Sequence, residues 1–169
     1  MVTYLLKKSY QHKDLKEVKF NDLWNSHGVF TTMWICQKPA KIIFFKKHIK
    51  NLIKSIEDYK LDKKNIKKNI LKLIKINLNK KRKYNHLLRI AVNNKIISVS
   101  FRKKITPKSN FKIKLVNLKR IKPEYKNLRY KKILSHLSKM NTSKFDIALC
   151  VDKKILESGT SNILFIKNN

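Results

Sequence analysis

The sequence predicts an α+β chain in two parts, residues 1–110 and 111–169. Two observations carry this. Strand-like and helix-like segments follow the order strand, strand, helix, helix, strand, strand, then strand, helix, hairpin, which lacks the strict alternation of a doubly wound sheet. The polar stretch Thr106-Pro107-Lys108-Ser109-Asn110 separates the two runs and is the best linker. A length of 169 residues with 42% hydrophobic content is enough for a packed core.

Residues 1–20 alternate weakly and are charged, as an entry strand or a loose arm would be. Val29 to Cys36 is β-branched and aromatic, which predicts a strand. Residues 37–40 form a turn, and residues 41–45 return as a second strand. Ile49, Leu52, Ile53 and Ile56 recur at helical spacing, one apolar face of an amphipathic helix. A second helix places Ile66, Ile70, Leu73 and Ile74 on one face, with Asp62 as its expected cap. Residues 87–92 and 95–101 read as a hairpin through Asn93-Asn94, where Asn tolerates positive φ. Residues 111–118 alternate apolar and polar as a half-buried strand. A helix is expected over residues 127–140, then a strand over 145–151, a turn at Asp152-Lys153-Lys154, and a return strand from Ile155.

The charge is extreme: 42 Lys+Arg against 10 Asp+Glu give a formal net charge of +32. Such a field attracts polyanions, which makes a basic nucleic-acid-binding protein one reading. The lysines, however, are interleaved with Ile and Leu at regular periods, without a dense arginine tract or aromatic-plus-Gly signature. Lys, Asn and Ile are also residues that AT-rich codons specify, so the charge is read as solvated faces and nucleic acid is not favoured. Cys36 and Cys150 lie far apart and the His residues show no ligand spacing, which argues against zinc and for a reduced, cytoplasmic setting. No apolar run approaches the length of a membrane span, and no apolar signal-peptide core follows the first charges.

Lys126 stands 31 residues before Glu157, which opens Glu157-Ser158-Gly159-Thr160-Ser161-Asn162 ahead of the apolar run 163–166. A lysine able to form a Schiff base, followed by an acid and a Ser-Asn turn, points to a pyridoxal phosphate site. Four segments support this in register: Gly28-Val29-Phe30-Thr31-Thr32-Met33, His48 to Ser55, Lys126-Asn127-Leu128-Arg129-Tyr130, and Glu157 to Phe165. With them the chain resembles the class IV (fold type IV) pyridoxal phosphate enzymes. These include branched-chain aminotransferases, D-amino acid aminotransferases and aminodeoxychorismate lyases.

The resemblance spans residues 20–165 and implies a small N-terminal domain followed by the first part of a β-rich cofactor-binding domain. It implies Lys126 as the Schiff-base lysine, Glu157 as partner of the pyridine nitrogen, and Ser161 and Asn162 as the turn beside the cofactor. It places Tyr130 near the ring hydroxyl, and Arg89 with an arginine of the central strands near the active site in some members. The implied partners are an amino acid and a 2-oxo acid, and the intact family works as homodimers. An aminotransferase favouring branched-chain acids is the expected activity, with aminodeoxychorismate lyase, or an inactive remnant, as alternatives. The departures are Asn51, where the family's HxxRLxxS motif has a phosphate-binding arginine, and His27 and Thr31 at the acid positions of GDGVFET. Family members continue further, so the chain is expected to be C-terminally truncated.

Overall fold

The computed structural model describes residues 3–161, 164 and 166. The chain divides into two compact units: residues 1–104 with 122–128, and residues 105–121 with 129–169.

The first unit is built on a six-stranded antiparallel sheet in the order β2-β1-β6-β5-β3-β4. The strands are β1 (Tyr4–Gln11), β2 (Glu17–Val18), β3 (Gly28–Gln37), β4 (Lys41–Ile42), β5 (Tyr84–Asn93) and β6 (Ile96–Lys103). Helices α1 (Phe45–Asp58) and α2 (Ile66–Asn77) cover one face. The period-two rule then sorts the side chains. Met33, Ile35, Leu88, Ile90, Val92, Ile97, Val99 and Phe101 enter the core, meeting Ile49, Leu52 and Ile56 of α1 and Ile70 and Leu73 of α2. The N-terminal segment is therefore a true strand, paired along seven positions with β6.

Three local expectations are corrected. The cap of α2 is Asn65, in the left-handed region at φ 56°, rather than Asp62. Asp62 instead accepts the Lys64 N–H at 2.9 Å and shapes the turn before the helix. The β5–β6 hairpin does not use positive φ at Asn93 or Asn94. The Asn93 side-chain oxygen accepts the N–H groups of Lys95 (2.9 Å) and Ile96 (2.8 Å), an Asx turn that substitutes side chain for strained backbone. The expected return strand at 41–45 is only two residues long, because α1 begins at Phe45.

The second unit has a three-stranded sheet, β7 (Lys112–Asn117), β8 (Phe145–Val151) and β9 (Lys154–Ser158), in that order. β7 and β8 run parallel, with helix α3 (Lys131–Ser138) in the crossover. β8 and β9 form an antiparallel hairpin through Asp152 and Lys153. Both turn residues have positive φ (49° and 62°), the backbone twist that short hairpins favour. Ile133 and Leu137 of α3 pack on Val116, Ile147 and Leu149. The helix expected over 127–140 starts late, since residues 127–128 are committed elsewhere.

Candidate active site

Residues 126–128 run alongside the start of β3 within the first unit. The Phe30 N–H donates to the Lys126 carbonyl at 2.8 Å, Asn127 bridges Val29, and the Leu128 N–H donates to the Gly28 carbonyl at 2.9 Å. The Asn127 side chain donates to the Lys122 carbonyl at 2.9 Å. Gly28 is what admits the segment: a Cβ there would lie 2.3 Å from the Val92 carbonyl oxygen and 2.7 Å from a Leu128 methyl carbon. The Lys126 backbone is thus fixed to the central sheet.

His48 of α1 shares a 3.0 Å hydrogen bond with the Thr31 hydroxyl of β3. Burial pushes its imidazole below the ordinary value, and the positive charges of Lys126 and Lys47 push it further. His27, the other motif departure, stacks on Tyr59 at 4.7 Å and approaches the Tyr59 carbonyl at 3.2 Å. Thr31 and His27 therefore serve local packing and hydrogen bonding. Asn51 lies exposed on α1.

Arg89, in the middle of β5, is buried against aromatic rings. Its guanidinium carbon sits 3.6 Å from the centre of the Trp24 ring and 5.3 Å from that of Phe30. One terminal nitrogen donates to the Asp22 carbonyl at 2.8 Å. Desolvation lowers its pKa to about 10, with Asp22 partly opposing the shift. Its buried Nε has no hydrogen-bond partner among the described residues.

In the second unit, Glu157 of β9 stands opposite Leu149 and so on the α3 side of the sheet. Arg120, which follows β7, grips it with both ends: Nε to Oε1 at 2.8 Å and an Nη to Oε2 at 3.0 Å. Charge-assisted bidentate pairing of this kind fixes the plane of the carboxylate. The Arg120 guanidinium also lies 5.4 Å from the centre of the Tyr130 ring. Tyr130 caps the start of α3 and donates its hydroxyl to the Gly159 carbonyl at 3.3 Å. Burial raises its pKa; Arg120 opposes this, while Glu157 and Asp146 add to it, so the phenol keeps its proton.

The turn after Glu157 wraps around the carboxylate of Asp146, itself 1% exposed. Oδ2 of Asp146 accepts from the Thr160 N–H (3.1 Å), the Thr160 hydroxyl (3.0 Å) and the Ser161 N–H (2.8 Å). Oδ1 accepts from the Ile147 N–H at 2.8 Å. The Gly159 N–H donates to the Ile147 carbonyl at 2.8 Å, and the Ser158 hydroxyl donates to the Ser161 carbonyl.

Of the residues singled out from sequence, Glu157 and Tyr130 meet around Arg120, and Ser161 is tied to Asp146. Lys126 and Arg89 belong to the first unit. Asn162 lies outside the described residues. Sequence reasoning missed Arg120 and Asp146. Among so many cations no local signal marks Arg120; Asp146, an acid inside the apolar run 145–151, was the readable anomaly.

The second unit thus holds a carboxylate clamped beside a half-buried tyrosine, and the first a lysine whose backbone is anchored to the sheet. The chain belongs to the amino-transferase class IV family, whose model matches residues 28–169. Among solved structures it is similar to a putative 4-amino-4-deoxychorismate lyase, 16% identical, over 84% of this chain and 62% of that one, with a TM-score of 0.59. It is similar to the branched-chain aminotransferase of Thermoproteus uzoniensis with norvaline, 13% identical, over 90% and 62%, with a TM-score of 0.59. A third is a mutant of the branched-chain amino acid aminotransferase of Thermobaculum terrenum, 13% identical, over 90% and 60%, with a TM-score of 0.60. The chain thus spans 60–62% of the length of these structures. No curated protein matches the sequence.

The family depends on pyridoxal phosphate. The donor set fits the ring end of that cofactor. Glu157 offers a carboxylate of the kind that suits a ring nitrogen, and Tyr130 a phenol, its pKa raised by burial, of the kind that suits the neighbourhood of a ring hydroxyl. At the phosphate end, the family's arginine position holds the exposed, neutral Asn51. The described helices include none long and apolar enough to cross a membrane.

Proposed function

We propose that this protein moves an amino group between an amino acid, with branched-chain acids favoured, and a 2-oxo acid. The observation that carries the reading is the Glu157 carboxylate gripped through both oxygens by the buried Arg120, beside Tyr130. Bound there, pyridoxal phosphate supplies an electron sink for the pair left on the substrate's Cα. Glu157 would pair with the ring nitrogen, and the two contacts from Arg120 would orient its carboxylate for that role. Tyr130, whose pKa burial raises, would stand near the ring hydroxyl, its own O–H remaining on the Gly159 carbonyl. Lys126 would supply the primary amine that binds the cofactor's aldehyde and, once the substrate's amino group has displaced it as a free amine, would take the Cα proton on Nζ and return it. Its carbonyl is tied to Phe30 and its neighbour Asn127 to Val29, so its reach is set by the side chain alone. Ser161 and Asn162 line the cofactor in this reading. The branched-chain preference is supported by the likeness in fold to two branched-chain aminotransferases. Assembly as a homodimer belongs to the same proposal.

A second reading, aminodeoxychorismate lyase, draws on a fold likeness of the same degree. The test is formation of 2-oxo acid from leucine, isoleucine or valine with 2-oxoglutarate as acceptor. Release of pyruvate from aminodeoxychorismate is followed separately. Borohydride treatment and peptide mass then locate the cofactor. Oxo-acid formation that vanishes in Lys126→Ala, with label on Lys126 in the unsubstituted chain, supports the first reading. Pyruvate release without an amino acceptor would replace it with the second. Absence of label from folded protein would sink both.

A further inference from the structure

We infer that Asp146 is a positioning residue of this site, holding the turn at residues 159–161 so that the flanking Glu157 and Ser161 are set for the cofactor. The inference rests on the reading of Glu157 as the ring-nitrogen partner.

A carboxylate buried inside an apolar strand costs several kcal/mol unless its lone pairs are filled. Asp146 is filled by neutral donors, and three of the four come from the turn that follows Glu157. A core acid placed for stability alone is poorly explained by this, because an apolar side chain in β8 would pack without needing those donors. The turn is held at further points: Gly159 N–H on the Ile147 carbonyl, and the Gly159 carbonyl on the Tyr130 hydroxyl. Gly159 is required by the same closeness. A Cβ there would lie 2.7 Å from Ile147 Cγ1 and 2.8 Å from Asp146 Oδ1. The chain thus passes directly over the acid, with Glu157 at one end of the wrapped segment and Ser161 at the other. Arg120 sets the plane of the Glu157 carboxylate from one side, and the Asp146 turn fixes the backbone that carries it from the other.

Both oxygens of Asp146 face donors, so Asp146→Asn keeps the shape but turns an NH2 group against at least one N–H. Amide hydrogen exchange on the cofactor-free chain is the first readout. Thr160 and Ser161 are expected to exchange at least about tenfold faster in Asp146→Asn, while β5 and β6 amides stay as in the unsubstituted chain. The second readout is the nitrogen resonance of 15N-labelled pyridoxal phosphate fixed on the protein, recorded well below the unfolding midpoint. It is expected to move towards the unprotonated ring, in the direction that Glu157→Gln moves it. Unchanged exchange at Thr160 and Ser161 would overturn the inference. Faster exchange with an unmoved ring-nitrogen resonance would also overturn it, leaving Asp146 a purely structural residue. If the unsubstituted chain takes up no cofactor, the functional reading and the role towards the cofactor fall together. The exchange result still decides whether Asp146 orders the turn.

Discussion

The two units of this chain are held together by different physics. The first buries a broad apolar face of a six-stranded sheet under two helices, with Met33, Ile35, Leu88, Ile90, Val92, Ile97 and Val99 fully enclosed. Among the described residues, the second has three strands and one eight-residue helix, and its buried cluster is Val116, Ile133, Leu137, Ile147 and Leu149. Ile113, Leu115 and Ile155 on its sheet remain 50%, 60% and 42% exposed. Its order comes in larger part from directed polar contacts: the Arg120–Glu157 clamp and the Asp146 turn. Apolar burial tolerates repacking, whereas a half-satisfied buried polar network is worse than none. The unit that carries the clamped acid is therefore the one whose geometry depends most on single atoms.

Truncation of one core side chain in each unit tests this most directly. Ile90→Ala is expected to destabilise the first unit by about 3–5 kcal/mol, and Ile133→Ala the second by about 2–4 kcal/mol. Hydrogen exchange read unit by unit separates the two. In Ile133→Ala the amides of β7, β8 and β9 should lose protection while β5 and β6 keep theirs. Equal loss in both units would show a single cooperative body and remove the contrast. A smaller effect tests the polar side. Glu157→Ala withdraws both carboxylate contacts from a guanidinium whose side chain is 5% exposed, and should cost about 2–4 kcal/mol, somewhat offset by the partial exposure of Glu157. Glu157→Gln, which keeps shape and an acceptor, should cost less. Thermal unfolding followed by near-ultraviolet circular dichroism reads both, and equal effects of the two substitutions would show that charge adds nothing to the clamp.

Sequence periodicity was enough to find both helices of the first unit, because Ile49, Leu52 and Ile56, and Ile66, Ile70, Leu73 and Ile74, all face its core. It was less able to set their ends. Asn65 caps α2 through its own backbone conformation, which composition does not reveal against the better-known capping residue Asp62. The late start of α3 has a tertiary cause. Residues 127–128 pair with the first residues of β3, nearly a hundred positions upstream, through a gap that only Gly28 leaves open. The same distinction holds at the site. Glu157, Tyr130 and Lys126 stand in recognisable local strings, which is why the sequence proposes them one at a time. The bidentate grip of Arg120 joins residues 37 apart in sequence, and in a chain with 42 Lys+Arg no position announces its partner.

The smallest expected effect concerns His48, and it probes Lys126 within the first unit without any cofactor. Burial is the larger cause of its lowered pKa, and the charge of Lys126 the second. Replacing Lys126 by Met should therefore raise the His48 pKa while leaving it below the ordinary value of 6.5. Proton NMR of the imidazole across pH gives the number directly. An unmoved resonance would place the Lys126 ammonium too far from α1 to act on it. The linked stability follows in sign. The unfolded chain takes up a proton near pH 6.5 and the folded chain only at lower pH, so the unfolded state binds more protons between those limits. Stability conferred by neutral His48 is then full above pH 6.5 and lost as the pH falls through that window. In Lys126→Met the window narrows from its acid side, so less stability is lost on acidification than in the unsubstituted chain. A His48→Gln variant, with no imidazole to titrate, should lose this component altogether and fix the baseline against which the two are compared.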